Sequence, residues 1–397
     1  MKILVAHNAY QQRGGEDIVV AAEPALLRAR GHEVVSYRRS NDDLKSRNEI
    51  GALAVAAETL WSFSSLAALR EILKTERPDV AHFHNTFPLI SPSAYYACAE
   101  AGVPVVQTLH NYRLLCPGAT FLRDGKVCEE CLGRAVPWPG VVHGCYRGSR
   151  PATLATAAML SVHRAMGTWR NKVNLYVALT EFARKKFIEG GLPADRIVVK
   201  SNFIANRPAR QAIGGDYALF AGRLSDEKGP QLLPVAWQAL RTKTPLRVVG
   251  DGPLLKPLCE DVERHGLSSL IELMGRRTAD EVASAIAGAR FLVMPSIWYE
   301  GFPMTVVEAY ACGVPVIASR IGSLGEIVQD GLTGLHFNPG DAMDFAAKVE
   351  WAWTHPKEMD EMGRAARREY EAKYTAEQNY EVLMRIYEIA RTKEALT

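Results

Sequence analysis

No uninterrupted apolar run in the 397 residues is long enough to cross a bilayer. The stretch from Ile50 to Leu69 is broken by Glu58, and that from Ala152 to Val162 stops at His163-Arg164. The apolar start after Lys2 breaks at His7-Asn8, so a secretory signal is not expected. A G-x-G-x-x-G fingerprint, internal repeats and low-complexity tracts are also missing. These absences argue against a membrane-spanning protein, a nicotinamide dehydrogenase, a solenoid and a disordered chain. A cytoplasmic location is expected. Cysteine is scarce at seven residues, yet four of them fall between 111 and 150.

The length suits two domains better than one. Charge is divided unevenly between them. Residues 1–205 hold 25 Lys/Arg against 18 Asp/Glu, a net of +7, and the remainder holds 22 against 26, a net of −4. A basic first lobe suits a phosphate-bearing acceptor or the anionic inner face of a membrane, or is an ordinary solvated surface. Nucleic acid is not expected as a partner, because the basic residues are not clustered with aromatics.

The most informative stretch is Pro295 to Ser319, PSIWYEGFPMTVVEAYACGVPVIAS. Apolar runs on either side, Ala289–Met294 and Val314–Ala318, read as buried strands, and Met304–Cys312 between them reads as a helix. Pro303 suits the helix start and Gly313 its stop. A strand, loop, helix and strand make the βαβ unit of a parallel sheet. Glu300 then lies in the loop at a strand's carboxyl end, where open α/β sheets bind ligands. Glu308 lies on the helix that follows, whose N-terminus attracts phosphate. Carboxylates for sugar hydroxyls beside amides for phosphate describe a nucleotide-sugar site. The alternative is a pair of solvated surface glutamates.

A second loop has matching chemistry. After an expected strand at Tyr217–Ala221 comes Gly222-Arg223-Leu224-Ser225-Asp226-Glu227-Lys228-Gly229. A guanidinium and an ammonium between glycines form a diphosphate clamp. Further strands are expected at Leu246–Gly250 and Ile271–Met274, ending in Gly250-Asp251-Gly252-Pro253 and Gly275-Arg276-Arg277. In the first lobe, strands are expected at Lys2–Asn8, His32–Arg38, Val80–His84, Val103–Leu109, Leu175–Leu179 and Arg196–Lys200. Gly14-Gly15 opens a helix after the first of these. His84 and His110 fall at the carboxyl ends of strands. Phe203–Gly215 has linker composition, and Thr375-Ala376-Glu377-Gln378 is a capping-box pattern opening a last amphipathic helix.

Segment 111–150 is rich in Gly and Pro and reads as irregular. Cys128-Glu129-Glu130-Cys131 is a C-x-x-C knuckle, with Cys116 before it and Cys145 after. Four thiolates at these intervals suit a structural Zn²⁺; an iron–sulfur cluster or merely reduced thiols are the alternatives. Cys98, Cys259 and Cys312 read as small core residues.

From Pro295 to Ser319, and over most of the chain with less specificity, the sequence resembles the family 4 retaining glycosyltransferases. The resemblance implies an α/β GT-B fold: two Rossmann-like doubly wound lobes with a cleft between them and a C-terminal helix crossing back to the first. It implies an acceptor lobe at 1–204 plus 378–397, bearing the cysteine insertion, and a nucleotide-sugar lobe at 205–377. It further implies that Glu300 contacts the donor sugar and Glu308 the ribose, and that Arg223 and Lys228 hold the diphosphate. Gly301, Phe302, Pro303 and Met304 bring backbone amides to the sugar and diphosphate. Gly15 faces the donor, Gly252 and Arg276 lie near the base, and His110 sits near the transferred sugar. Ser319–Glu326 resembles a glycine-containing loop beneath the donor, with one glycine where two often occur.

The expected activity is retaining transfer from a UDP- or GDP-sugar to a glycan, lipid-linked or small-molecule acceptor, with no cofactor for catalysis. A GT-B nucleotide-sugar isomerase and a catalytically silent binding protein are the other readings.

Overall fold

The computed structural model describes residues 1–9, 15–44, 49–204 and 215–392. Gly14 and most of the expected linker lie outside them. Two compact units divide the chain. One comprises Met1–Phe121, Cys128–Asn202 and Asn379–Thr397; the other comprises Leu122–Val127 and Phe203–Gln378. Six residues of the cysteine segment thus group with the second unit, although the sequence places the whole segment with the first.

The first unit is built on a six-stranded parallel sheet. Its strands are β1 (Lys2–Ala9), β2 (Glu33–Ser40), β3 (Val80–Asn85), β4 (Val105–Leu109), β7 (Leu175–Ala178) and β8 (Ile197–Val199), in the order β2-β1-β3-β4-β7-β8. The small pair β5 (Leu122–Arg123) and β6 (Lys126–Val127) is antiparallel and separate. Strands β3, β4 and β7 are buried along their whole length, as expected for near-continuous apolar runs covered on both faces. β2 is exposed or half-buried along its whole length because it is an edge. The helix Ala376–Thr392 starts where Thr375 Oγ1 accepts from the Gln378 N–H at 3.3 Å. Its Leu383, Ile386, Tyr387 and Ala390 enter the core formed by Ile3, Val5, Val80, Val106, Leu175 and Val177. Each large apolar side chain so buried contributes about 1.5–3 kcal/mol.

The second unit repeats the architecture. Strands β9 (Ala218–Ala221), β10 (Leu246–Val249), β11 (Ile271–Gly275), β12 (Phe291–Met294), β13 (Val316–Ser319) and β14 (Gly334–Phe337) form one parallel sheet, ordered β11-β10-β9-β12-β13-β14. The chain runs outward from β9 through β10 to β11, then returns to the other side of β9 at β12. The connections leaving β9 and β12 therefore diverge, and a crevice opens between them at the carboxyl ends. Both units are doubly wound α/β layers.

Several local expectations need correction. Segment 111–150 is not wholly irregular: it holds the β5–β6 pair and a short helix, Trp138–His143. Residues 319–326 are not only loop, since the helix Gly322–Ile327 begins within them. Strand β14 has no counterpart among the expected elements. Cys98 and Cys312 are buried as expected, but Cys259 is exposed. Leu258 and Val262 define the inward face of its helix, and Cys259 lies one residue off that face.

Candidate functional site

At the crevice of the second sheet, close backbone packing brings two loops together. Gly229 takes the left-handed conformation (φ 69°), and a Cβ there would lie 2.0 Å from the Pro295 carbonyl oxygen. No other residue fits that approach. The Ile297 N–H then donates to the Glu227 carbonyl at 3.0 Å, tying the loop after β9 to the loop after β12. This contact delivers Lys228 to Glu300. The ammonium Nζ donates to both carboxylate oxygens, at 2.7 and 2.8 Å, and Ser296 Oγ donates to Oε1 at 2.8 Å.

Glu300 is only 3% exposed, so its charge needs these partners. Lys228 keeps contact with solvent and has Trp298 5.6 Å from its nitrogen, at cation–π range. The sequence reading does not single out Ser296, which is buried two residues beyond an apolar strand end.

The other expected residues of this unit surround the same crevice. Arg223 is exposed on the loop after β9, and Arg276 is exposed after β11. Gly252 packs so closely that a Cβ would lie 2.3 Å from the Leu224 carbonyl oxygen, while Leu224 N–H donates to the Asp251 carbonyl at 3.0 Å. The loops after β9 and β10 are thereby locked together. Gly301 and Phe302 are half-buried, and the Phe302 ring meets Tyr374 edge-on with centroids 6.1 Å apart. Pro303 occupies the N-cap position of the helix Met304–Cys312 without a side-chain capping bond, and the helix's inward face is Val306, Val307 and Tyr310. Gly313 ends it in the left-handed conformation. Glu308 lies in its second turn, half-buried.

In the first unit Gly15 is exposed at the start of the helix Gly15–Ala29, and His110 follows β4. His110 is not isolated. Its Nε2 lies 3.0 Å from His84 Nδ1, with the two rings stacked. Behind His84 is a buried carboxylate, Glu23, whose Oε2 accepts from Lys200 Nζ at 3.0 Å. His82 Nδ1 lies 3.2 Å from Glu23 Oε1 and 2.9 Å from the Tyr387 hydroxyl, and His82 Nε2 is 2.8 Å from Thr108 Oγ1.

The partners of Glu23, Lys200 first, hold its carboxyl well below the usual range against the opposing effect of burial. Burial pushes His84 well down. It also pulls His110 down to about 3, although the residue as a whole is half-buried. Both rings are neutral at pH 7. Glu23 and Lys200 were missed from the sequence. A charge at 23, four residues from Val19 and Leu27 on one apolar helix face, was the available signal.

Among the described residues, Glu23, His82 and His84 form the group of three ligand atoms that all lie within 4.8 Å of one another; the four cysteine sulfurs do not form such a group. Cys116 and Cys131 are buried, and Cys128 and Cys145 half-buried. They are nevertheless neighbours. A Cβ on Gly118 would lie 3.6 Å from both Cys116 Sγ and Cys145 Cβ, and one on Gly140 would lie 3.5 Å from Cys131 Sγ. Burial pushes the Cys131 thiol up to about 11, and the charges of Cys116, Cys145 and Cys128 act in the same direction.

Comparison with known proteins adds to this geometry. The model for Glycosyltransferase Family 4 matches residues 14–205, and that for Glycosyl transferases group 1 matches 206–369. This chain belongs to the group 1/family 4 glycosyltransferases. A D-inositol 3-phosphate glycosyltransferase of Arthrobacter sp. is similar to it, with 27% identity over 89% of this chain and 85% of the relative. An uncharacterized glycosyltransferase of Methanocaldococcus jannaschii is 42% identical over 34% of the chain, a match spanning only 38% of that relative's length. Among solved structures, Anabaena HepE in complex with UDP superposes with a TM-score of 0.69 at 18% identity, covering 98% of this chain and 100% of its own. At that identity the likeness is one of fold, and the fold is the two-sheet α/β architecture of GT-B glycosyltransferases. No described helix of this family 4 chain is long and apolar enough to cross a membrane.

Proposed function

We propose that this protein transfers a sugar, with retention at the anomeric carbon, from a nucleoside diphosphate donor to a glycan, lipid-linked or small-molecule acceptor. The observation that carries the reading is the Lys228–Glu300 pair at the switch point of the second sheet, with Arg223 on the same loop as Lys228. HepE, the structural neighbour, is seen with UDP and with UDP-glucose, which supports a nucleotide-sugar donor here.

In this reading Arg223 and Lys228 take up the negative charge that builds on the departing diphosphate, the larger electrostatic task. Glu300, Ser296 and the helix opening at Met304 orient the sugar, and Glu308 binds the ribose. Gly252 and Arg276 lie toward the base, and Gly15 and His110 take the roles that the resemblance implies. The acceptor oxygen forms its bond to the anomeric carbon on the face the phosphate leaves, and the acceptor proton passes to the departing phosphate oxygen. No metal is needed for these steps.

The excess of basic residues in 1–205 suits an acceptor bearing phosphate, or a peripheral position at the cytoplasmic membrane face. We place one structural zinc at Cys116, Cys128, Cys131 and Cys145, supported by their spacing and mutual proximity.

Incubation with a panel of UDP-, GDP- and ADP-sugars tests the activity. Release of free nucleoside diphosphate with an acceptor-dependent rate is expected. An epimerised nucleotide sugar would make the protein an isomerase instead, and binding without turnover would make it a sensor.

A further inference from the structure

The buried polar group in the first unit has no place in the resemblance or in any expected motif. We infer that Glu23, anchored by Lys200, is a positioning residue that acts through His84 to fix His110 as its neutral Nε2–H tautomer, leaving Nδ1 as a hydrogen-bond acceptor for a sugar hydroxyl. The last clause rests on the role proposed above for His110; the tautomer itself does not.

Glu23 is ionised and can only accept. One of its oxygens takes the Lys200 ammonium at 3.0 Å. The other, Oε1, has no geometrically sound hydrogen bond and faces His84 Nε2 at 3.5 Å, a nitrogen equally without one. Buried polar atoms are rarely left unsatisfied, and these two orphans face each other. A proton on His84 Nε2 serves both. A lone pair there would point at a carboxylate and be repelled. A neutral His84 protonated at Nε2 must accept at Nδ1. The group lying 3.0 Å from that nitrogen is His110 Nε2, so His110 donates. Because His110 is also neutral, its own Nδ1 carries the lone pair.

His82 Nδ1 also lies near Oε1, at 3.2 Å, but the Tyr387 hydroxyl is nearer to it at 2.9 Å, and its Nε2 faces the Thr108 hydroxyl at 2.8 Å. The Glu23, His82 and His84 atoms also sit within metal-ligand reach of one another. Lys200, itself 4% exposed, supplies the balancing positive charge on the same carboxylate, so no cation is required there.

The test reads the proton position directly in ¹⁵N-histidine-labelled protein without substrate, the His110 signal being identified by its loss in His110→Gln. Wild-type His110 is expected to be protonated at Nε2 and bare at Nδ1. In the volume-matched pair Glu23→Gln/Lys200→Met, which leaves no buried charge unbalanced, the preference should relax toward a mixture of tautomers. A wild-type His110 protonated at Nδ1 or at both nitrogens overturns the inference and needs no variant to show it. An unchanged Nε2–H tautomer in a folded double variant overturns it equally.

Turnover separates this inference from the reading on which it rests. A fall of roughly tenfold in kcat with little change in donor KM is expected, the effect of one misdirected hydrogen bond. A shifted tautomer with wild-type turnover would uphold the positioning and remove His110 from the reacting sugar.

Discussion

The two units carry their charges in opposite ways. In the second, Lys228 and Glu300 come from loops at strand ends, and Lys228 remains in contact with solvent. In the first, Glu23 comes from mid-helix, His82 from mid-strand, His84 from near the end of that strand and Lys200 from the residue after β8, and all four are buried. A charge at a loop mouth can change partners when a ligand arrives. One sealed in a core cannot, and can only fix the geometry of its neighbours. The difference separates groups that bind from groups that position.

Substituting one lysine from each pair tests that division. Lys200→Met leaves the Glu23 carboxylate buried and without its main partner, and should cost about 3–5 kcal/mol of stability. Lys228→Met removes a partner that itself reaches solvent and leaves Glu300 the Ser296 hydroxyl, and should cost less, about 1–2 kcal/mol. Turnover should show the reverse order among folded molecules. Lys228→Met, like Arg223→Ala, should lose at least about tenfold through one missing charge-assisted phosphate contact. Urea unfolding paired with steady-state rates measures both. Equal stability losses at the two sites would erase the distinction.

Zinc at the cysteine segment should act on stability alone and affect turnover less than either lysine. Elemental analysis of protein purified without chelator should find near one equivalent per chain, and Cys128→Ser should lower it. Below about a tenth of an equivalent, with all four thiols freely titratable, the segment is held by packing of Tyr112, Leu115 and Phe121 and not by metal.

The loop-borne site was legible because its requirements are local. Gly229 is where backbone must approach backbone, Pro303 and Gly313 bound one helix, and the apolar runs on both sides can only be buried strands. The order of those strands in the sheet, with β9 beside β12, then brings Lys228 to Glu300. The bond between them was not legible, since Arg223 and Lys228 were expected to face phosphate and not a protein carboxylate. The core-borne group was illegible for a physical reason. Glu23 and Lys200 are 177 residues apart, and only the folding of the sheet brings the first helix and the residue after β8 together. Single residues such as Cys259 and the strand Gly334–Phe337 were misread or missed because a shift of one position, or a four-residue element, leaves little periodicity to detect.

The central claim is that the Lys228–Glu300 loops form the donor site, with Glu300 at the sugar and Glu308 at the ribose. Calorimetry with the nucleoside diphosphate, run beside turnover on Glu300→Ala and Glu308→Ala, tests it most directly. Glu308→Ala should weaken nucleotide binding by about 1.5–3 kcal/mol, the contribution of hydrogen bonds to a charged acceptor. Glu300→Ala should bind the nucleotide nearly as wild type and lose turnover, because its contacts are made to the reacting sugar. Loss of the nucleotide in Glu300→Ala with full binding in Glu308→Ala would invert the site, and wild-type binding and turnover in both would remove it from these loops.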